Sequence, residues 1–153
     1  MKYCITIILA IITTAFRSHN QTSFSIEINY LGLPSTPHCH YFITDRNITV
    51  KKYVNAIPGR PRLVLDSASF ELKQLDSISN VVFKTDWKKT PKVQDNHCID
   101  GTVLDINLLT LQDTLNFKYR CARHPDIDRL LRICNSLIPS KKYRNMYRLV
   151  DNN

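Results

Sequence analysis

Histidine and cysteine stand together three times in this chain: His38-Cys39-His40, His97-Cys98, and Cys121-Ala122-Arg123-His124. Imidazole and thiolate hold zinc and also serve as base and nucleophile, so these are the first places to look for chemistry. Structural zinc takes four such donors in a tetrahedron, commonly as closely spaced Cys–Cys or His–His pairs. Neither pairing occurs here, and Cys121 with His124 comes nearest. His38 and His40 share one face of an extended strand, as two ligands would, while Cys39 points the other way. A thiol nucleophile needs a partly exposed thiol of lowered pKa beside a base. His97 and Cys98 are adjacent, but adjacent strand residues project to opposite faces. Asp100 lies close by, before Gly101. His97, Asp100, His38 and His40 therefore define one assignment, a small exported hydrolase or metal-dependent enzyme. Against it, the chain has no Gly-x-Ser-x-Gly, P-loop or His-Glu-x-x-His pattern. With only three glycines in the chain, a phosphate-cradling loop is disfavoured. These letters assign no catalytic residue, no metal ligand and no cofactor.

The elements that would position these groups follow from periodicity. "FSIEINY" alternates Phe24, Ile26, Ile28 and Tyr30 against Ser25, Glu27 and Asn29, a half-buried strand. "HCHYFIT" and "ITVKKYV" read as the next two strands, joined by a turn at Asp45–Asn47. A short strand is expected at "RLVL", 62–65. Ala68, Leu72, Leu75 and Ile78 then fall at helical spacing, so a helix is expected over 66–79 with Asp66 or Ser67 as its cap. "NVVFKTDW", 80–87, returns to strand character, and "KKTPKVQDNH" reads as a loop. Leu104, Ile106 and Leu108, then Leu115, Phe117 and Tyr119, alternate on either side of "LQDT", which is a hairpin. Ile127, Leu130, Leu131, Cys134, Leu137 and Ile138 form a continuous apolar helical stripe. Pro125 suits the first helical position, Asp126 and Asp128 suit the positive end of the helix dipole, and Pro139 ends the helix. The expected fold is α+β, one antiparallel sheet of about six to seven strands with two helices on one face.

The ends of the chain set its compartment and surface. "MKYCITIILAIITTA" has Lys2, a short apolar run, and Thr13 and Ala15 placed as in a cleavage site, the anatomy of a secretory signal peptide over 1–15. The apolar run is shorter than a bilayer-spanning helix needs, and no transmembrane span is expected. Residues 24–139 make a single domain, and 140–153 form a basic tail. Cleavage would remove Cys4 and leave Cys39, Cys98, Cys121 and Cys134. In an oxidising compartment four cysteines argue for two disulfides. Three connectivities are possible; the hairpin favours Cys98 with Cys121, which leaves Cys39 with Cys134. Lys plus Arg exceed Asp plus Glu by 21 to 13, a net charge of +8 that favours anionic partners. The tail residues Lys141, Lys142, Tyr143 and Arg144 are the candidate binding patch. Export disfavours nucleic acid as the partner and favours a protein or an anionic component of the envelope.

Taken together, the signal segment, the "F-x-x-L-K-x-L-D-S-I" run from Phe70 to Ile78, the "C-x-D-G-T" opening at Cys98–Thr102 and the final amphipathic helix resemble a group of proteins. These are small exported proteins and lipoproteins of Gram-negative bacteria with uncharacterised activity. The resemblance implies export to the periplasm or beyond and an α+β architecture, and it carries no catalytic residues. Many of that group bear a lipid-modified cysteine at the end of the signal, where this chain has "TTAFRS".

Overall fold

The computed structural model describes residues 23–31, 38–53, 63–73, 75–97 and 102–144. The signal segment, Cys4, Cys98, Asp100, Gly101 and the tail beyond Arg144 lie outside these residues. Seven strands appear: β1 Phe24–Leu31, β2 His38–Thr44, β3 Asn47–Tyr53, β4 Val64–Glu71, β5 Val93–Asp95, β6 Val103–Thr110 and β7 Thr114–Arg120. Two α-helices, α1 Leu75–Lys84 and α2 Pro125–Leu137, and a 3-10 turn at Lys141–Tyr143 complete the described chain. The strands form one sheet in the order β4-β3-β2-β1-β6-β7-β5.

Every neighbouring pair is antiparallel except β5 with β7, which is parallel, so the sheet is mixed rather than wholly antiparallel. The physical reason lies in the order of the strands: β6 and β7 follow β5 in the chain, and the hairpin places β7 between β6 and β5 in the sheet. β5 and its neighbour β7 are therefore joined through a whole intervening strand rather than a tight turn, which is what a parallel pair needs.

Register carries the alternation of each strand across the sheet. One row runs Phe70, Ile48, Ile43, Ile26, Leu108, Leu115; the next runs Ala68, Val50, Tyr41, Ile28, Ile106, Phe117. Ile26, Ile28, Tyr41, Ile43, Ile48, Val50 and Ile106 are completely buried. They belong to one core cluster with Ile78, Val81 and Val82 of α1 and Ile127, Leu130, Leu131 and Cys134 of α2. A slip of one residue in any central strand would expose its whole apolar set, so the pattern fixes the pairing. The opposite face carries Glu27, Asn29, His40, Phe42, Lys51, Asn107 and Lys118, all half-buried or exposed.

The stretch between β3 and β5 departs from its sequence pattern. The expected helix over 66–79 is instead the strand β4 followed by α1, and the expected strand over 80–87 is the second half of α1 and a turn. Ala68, Leu72, Leu75 and Ile78 happen to share helical spacing, but Ala68 and Phe70 also alternate. Pairing Ala68 with Val50 and Phe70 with Ile48 extends the sheet core, a long-range gain that local periodicity does not register. The helix then uses Ile78, Val81 and Val82 as its buried stripe. The hairpin β6–β7 and α2 match their expected positions. His124 caps α2, its Nδ1 accepting from the Asp126 amide at 3.4 Å, and Pro125 sits in the first turn. Among the described residues no helix is long and apolar enough to cross a membrane.

Candidate functional site: the open face and the free edge

The chemically suggestive residues fall in separate places. His38 and His40 share the open face of β2, as their spacing requires. His97 follows β5 at the opposite side of the sheet, with φ 53° in the left-handed region, and its side chain is 91 % exposed. β1, β6 and β7 intervene between β2 and β5, so at about 4.8 Å per strand the two sites are about 19 Å apart. His124 is engaged as a helix cap. Asp100 lies outside the described residues. Among the described residues no group of three or more metal-binding side chains converges.

On the open face one polar cluster does assemble. β1, β2 and β6 are adjacent, and they bring His40, Glu27 and Asn107 together. His40 Nε2 lies 2.8 Å from one Glu27 oxygen, and Asn107 Nδ2 donates to the other at 3.1 Å. The Asn107 hydrogen bond, then that of His40, lowers the Glu27 carboxyl below its ordinary pKa despite some desolvation. Alternation predicted the outward direction of each residue, but nothing in the sequence pairs Glu27 with residues 13 and 80 positions away. Further along this face Lys118 stands 4.0 Å from Asp105, and Arg120 4.0 Å from Asp95. Phe42 and Leu109 add exposed apolar surface.

The cysteines divide by environment. Cys134 is a buried thiol in α2, so the expected bond between Cys39 and Cys134 is not formed. Burial pushes the Cys134 pKa up to about 12, which holds the group as the protonated thiol and away from the thiolate that disulfide exchange requires. Cys39 is buried in the core face of β2. Cys121 does not continue the inward face of β7: it has φ 48° and is half-buried just past the strand. Both flanks of Cys98 are tied to it. Asn96 donates its side-chain amide to the Cys121 carbonyl at 2.9 Å, and the Cys121 amide donates to the Thr102 carbonyl at 3.0 Å. Beside it, β6, β7 and α2 enclose a cavity of about 170 Å³ that Leu104, Tyr119, Ile127 and Leu131 line.

The candidate binding patch in the tail is built into the fold. Tyr143 is only 8 % exposed; its hydroxyl donates to Asp66 Oδ1 at 2.9 Å and its ring packs edge-on against Phe70 at 5.7 Å. Lys142 pairs with the same carboxylate, and this bond, then that of Tyr143, lowers the Asp66 pKa. Arg144 Nε donates to the Ile138 carbonyl at 2.6 Å. Lys141 is exposed. Sequence reasoning placed these residues in a basic tail as a binding patch, yet three of them clamp the end of α2 to β4 and β3.

That clamp borders the feature sequence reasoning missed. β4 is the outer strand of the sheet. Leu72 donates to the Arg46 carbonyl at 2.9 Å, so by antiparallel alternation the amides of Phe70 and Ala68 also face β3. The amides and carbonyls of Ser67, Ser69 and Glu71 therefore face outward, where no described strand meets them. Leu63, Val64 and Leu65 at its start are 69 %, 53 % and 60 % exposed. A groove of about 510 Å³ runs between this edge and the end of α2, lined by Ser69, Phe70, Glu71, Lys73, Leu137 and Pro139 among others. The sequence signal was present in "RLVLDSASFELK" as alternation, where the competing helical spacing masked it.

Compared with known proteins, the chain matches no family model, no curated protein and no solved structure.

Proposed function

We propose that this chain is an exported, non-enzymatic binding domain of the cell envelope, with a protein rather than a small substrate as its partner. The observation that carries the proposal is the outer edge of β4, which no described strand meets. It is a strand of eight residues at the rim of the sheet, with outward backbone groups and exposed Leu63, Val64 and Leu65 beside it. Long edges of this kind invite pairing and are normally shortened, charged or covered. Both helices share the core cluster with the buried face, an arrangement that would leave the opposite face and this edge available. The separation of His38 and His40 from His97 favours binding over the hydrolase assignment.

Export fits the N-terminal pattern, and in an oxidising compartment Cys98 and Cys121 would pair, because both flanks of Cys98 are bound to Cys121. The mature protein should begin near Phe16; an intact N-terminus on cytoplasmic protein would remove the export reading. Binding is tested by placing a photo-crosslinker at Ser67 on the edge and another at Asn116 on the open face, then illuminating intact cells. A discrete protein adduct at either position supports the proposal. Absence of adducts at both, with hydrolysis of an ester or glycoside panel that His40→Ala abolishes, would establish the enzyme instead.

A further inference from the structure

We infer that β4 receives an extended, acidic segment of the partner protein as an additional strand; this rests on the binding proposal above and names the partner's chemistry. Three observations lead there. The first is the backbone of Ser67, Ser69 and Glu71, whose outward amides and carbonyls are satisfied best by another strand, since strand addition supplies donors and acceptors at matching intervals. The second is the groove between β4 and α2. An added strand sends alternate side chains to one face, and those on the helix side would enter the space beside Phe70, Leu137 and Pro139.

The third observation is charge, which selects among possible strands. Of the two β4 carboxylates, Asp66 is already neutralised by Lys142. Glu71 and Lys73 both line the groove, one charge of each sign. The surplus is basic: Lys51 stands beside Ser67 on the open-face side, and Lys141, next to the Lys142 that pairs with Asp66, is exposed on the helix side, each without an ion-pair partner within 4.0 Å among the described residues. A second copy of this chain is the wrong occupant, because edge-to-edge pairing would bring two such surpluses together on chains that each carry +8. A segment with apolar residues at alternate positions and glutamate or aspartate between them fits the groove and the charges together.

The test uses the full mature chain and two synthetic probes, a peptide alternating valine with glutamate and the same peptide with lysine. Amide exchange should slow at Ser67, Ser69 and Glu71 with the acidic peptide, while Phe70 and Ala68 are unchanged. The lysine peptide should bind at least about tenfold more weakly, with the difference shrinking at high salt. Ser67→Pro removes one outward amide where an edge strand tolerates proline, and should weaken the acidic peptide about tenfold while the melting transition persists. Should that variant unfold, Lys51→Glu with Lys73→Glu serves instead and should reverse the preference between the peptides. Equal binding of both peptides, or unaltered exchange at the three edge amides, would overturn the inference, as would dimerisation through β4. A crosslinked cellular partner whose capture Ser67→Pro leaves intact would overturn strand addition and keep the binding proposal; loss of all adducts removes both.

Discussion

The two edges of the sheet are secured by different means, and the difference separates structure from function. At the β5 edge the strand is three residues long and heavily tied. Lys118 donates to the Lys92 carbonyl at 2.7 Å, Asn96 to the Arg120 carbonyl at 3.1 Å, and the Tyr119 hydroxyl to the Pro91 carbonyl at 2.6 Å. Beside it Trp87 packs on β7, its ring 5.5 Å from Phe117 and its Nε1 donating to the Val82 carbonyl at 2.8 Å. The β4 edge is longer and is held from within, by Tyr143 and Lys142 on the core side, while no described strand meets its outward backbone. Short, covered edges protect a sheet from unwanted pairing, and a long one left open is a place where pairing can be put to use.

Variants at the two edges separate them. The largest effect is expected at the latch. Tyr143→Ala removes a buried aromatic ring and the hydroxyl that donates to Asp66, so it should cost about 3 kcal/mol. Denaturant unfolding gives the magnitude, and amide exchange should quicken in β4 and β3 well before β5. Uniform acceleration across both edges would mean that the latch supports the whole core rather than this side.

At the other edge, bonding of Cys98 to Cys121 would close a loop whose removal costs about 3 kcal/mol in chain entropy. Reduction should therefore lower the melting temperature, and a non-reducing peptide map should show that bond while Cys134 is alkylated only after unfolding. Native labelling of Cys134 would contradict a buried thiol with its pKa pushed up to about 12. Tyr119→Phe, which deletes the hydroxyl bonded to Pro91, should cost about 1 kcal/mol and loosen β5 without affecting β4.

The smallest effect is expected midway between the edges. Glu27 has a lowered pKa, so its bonds stabilise the folded state above its ordinary value near 4.5 and are lost as pH falls through the lowered value. Asn107→Ala should cost about 0.5 kcal/mol or less at neutral pH, given the solvent exposure of the carboxylate. That difference should vanish in acid, as urea titrations across the pH range would show; a constant difference would assign the effect to packing.

How legible the fold was varies by segment. β1, β2 and β3, the hairpin β6–β7 and α2 were legible because each buries a face whose period is set locally. Ile26 and Ile28, or Ile127, Leu130 and Leu131, admit one secondary structure only. Residues 64–84 were not. There a spaced set of apolar residues satisfied a helix as well as a strand, and the choice fell to β3, whose Ile48 and Val50 needed Phe70 and Ala68 as neighbours. The site was less legible still. His38, His40, His97 and Asp100 attracted attention by type, whereas the free edge depends on backbone direction and on which strand ends the sheet.

By itself, then, the sequence determined the alternation that fixes most strands, the capped and proline-bounded α2, and a basic surface, because these properties depend on residues a few positions apart. Only the tertiary structure decided that β5 runs parallel to β7 and that Glu27 meets both His40 and Asn107. It also turned Tyr143 inward and placed β4 at the rim of the sheet, where no described strand meets its outer side. Each of those outcomes depends on groups far apart in the chain, whose meeting is set by the order of strands and not by any local pattern.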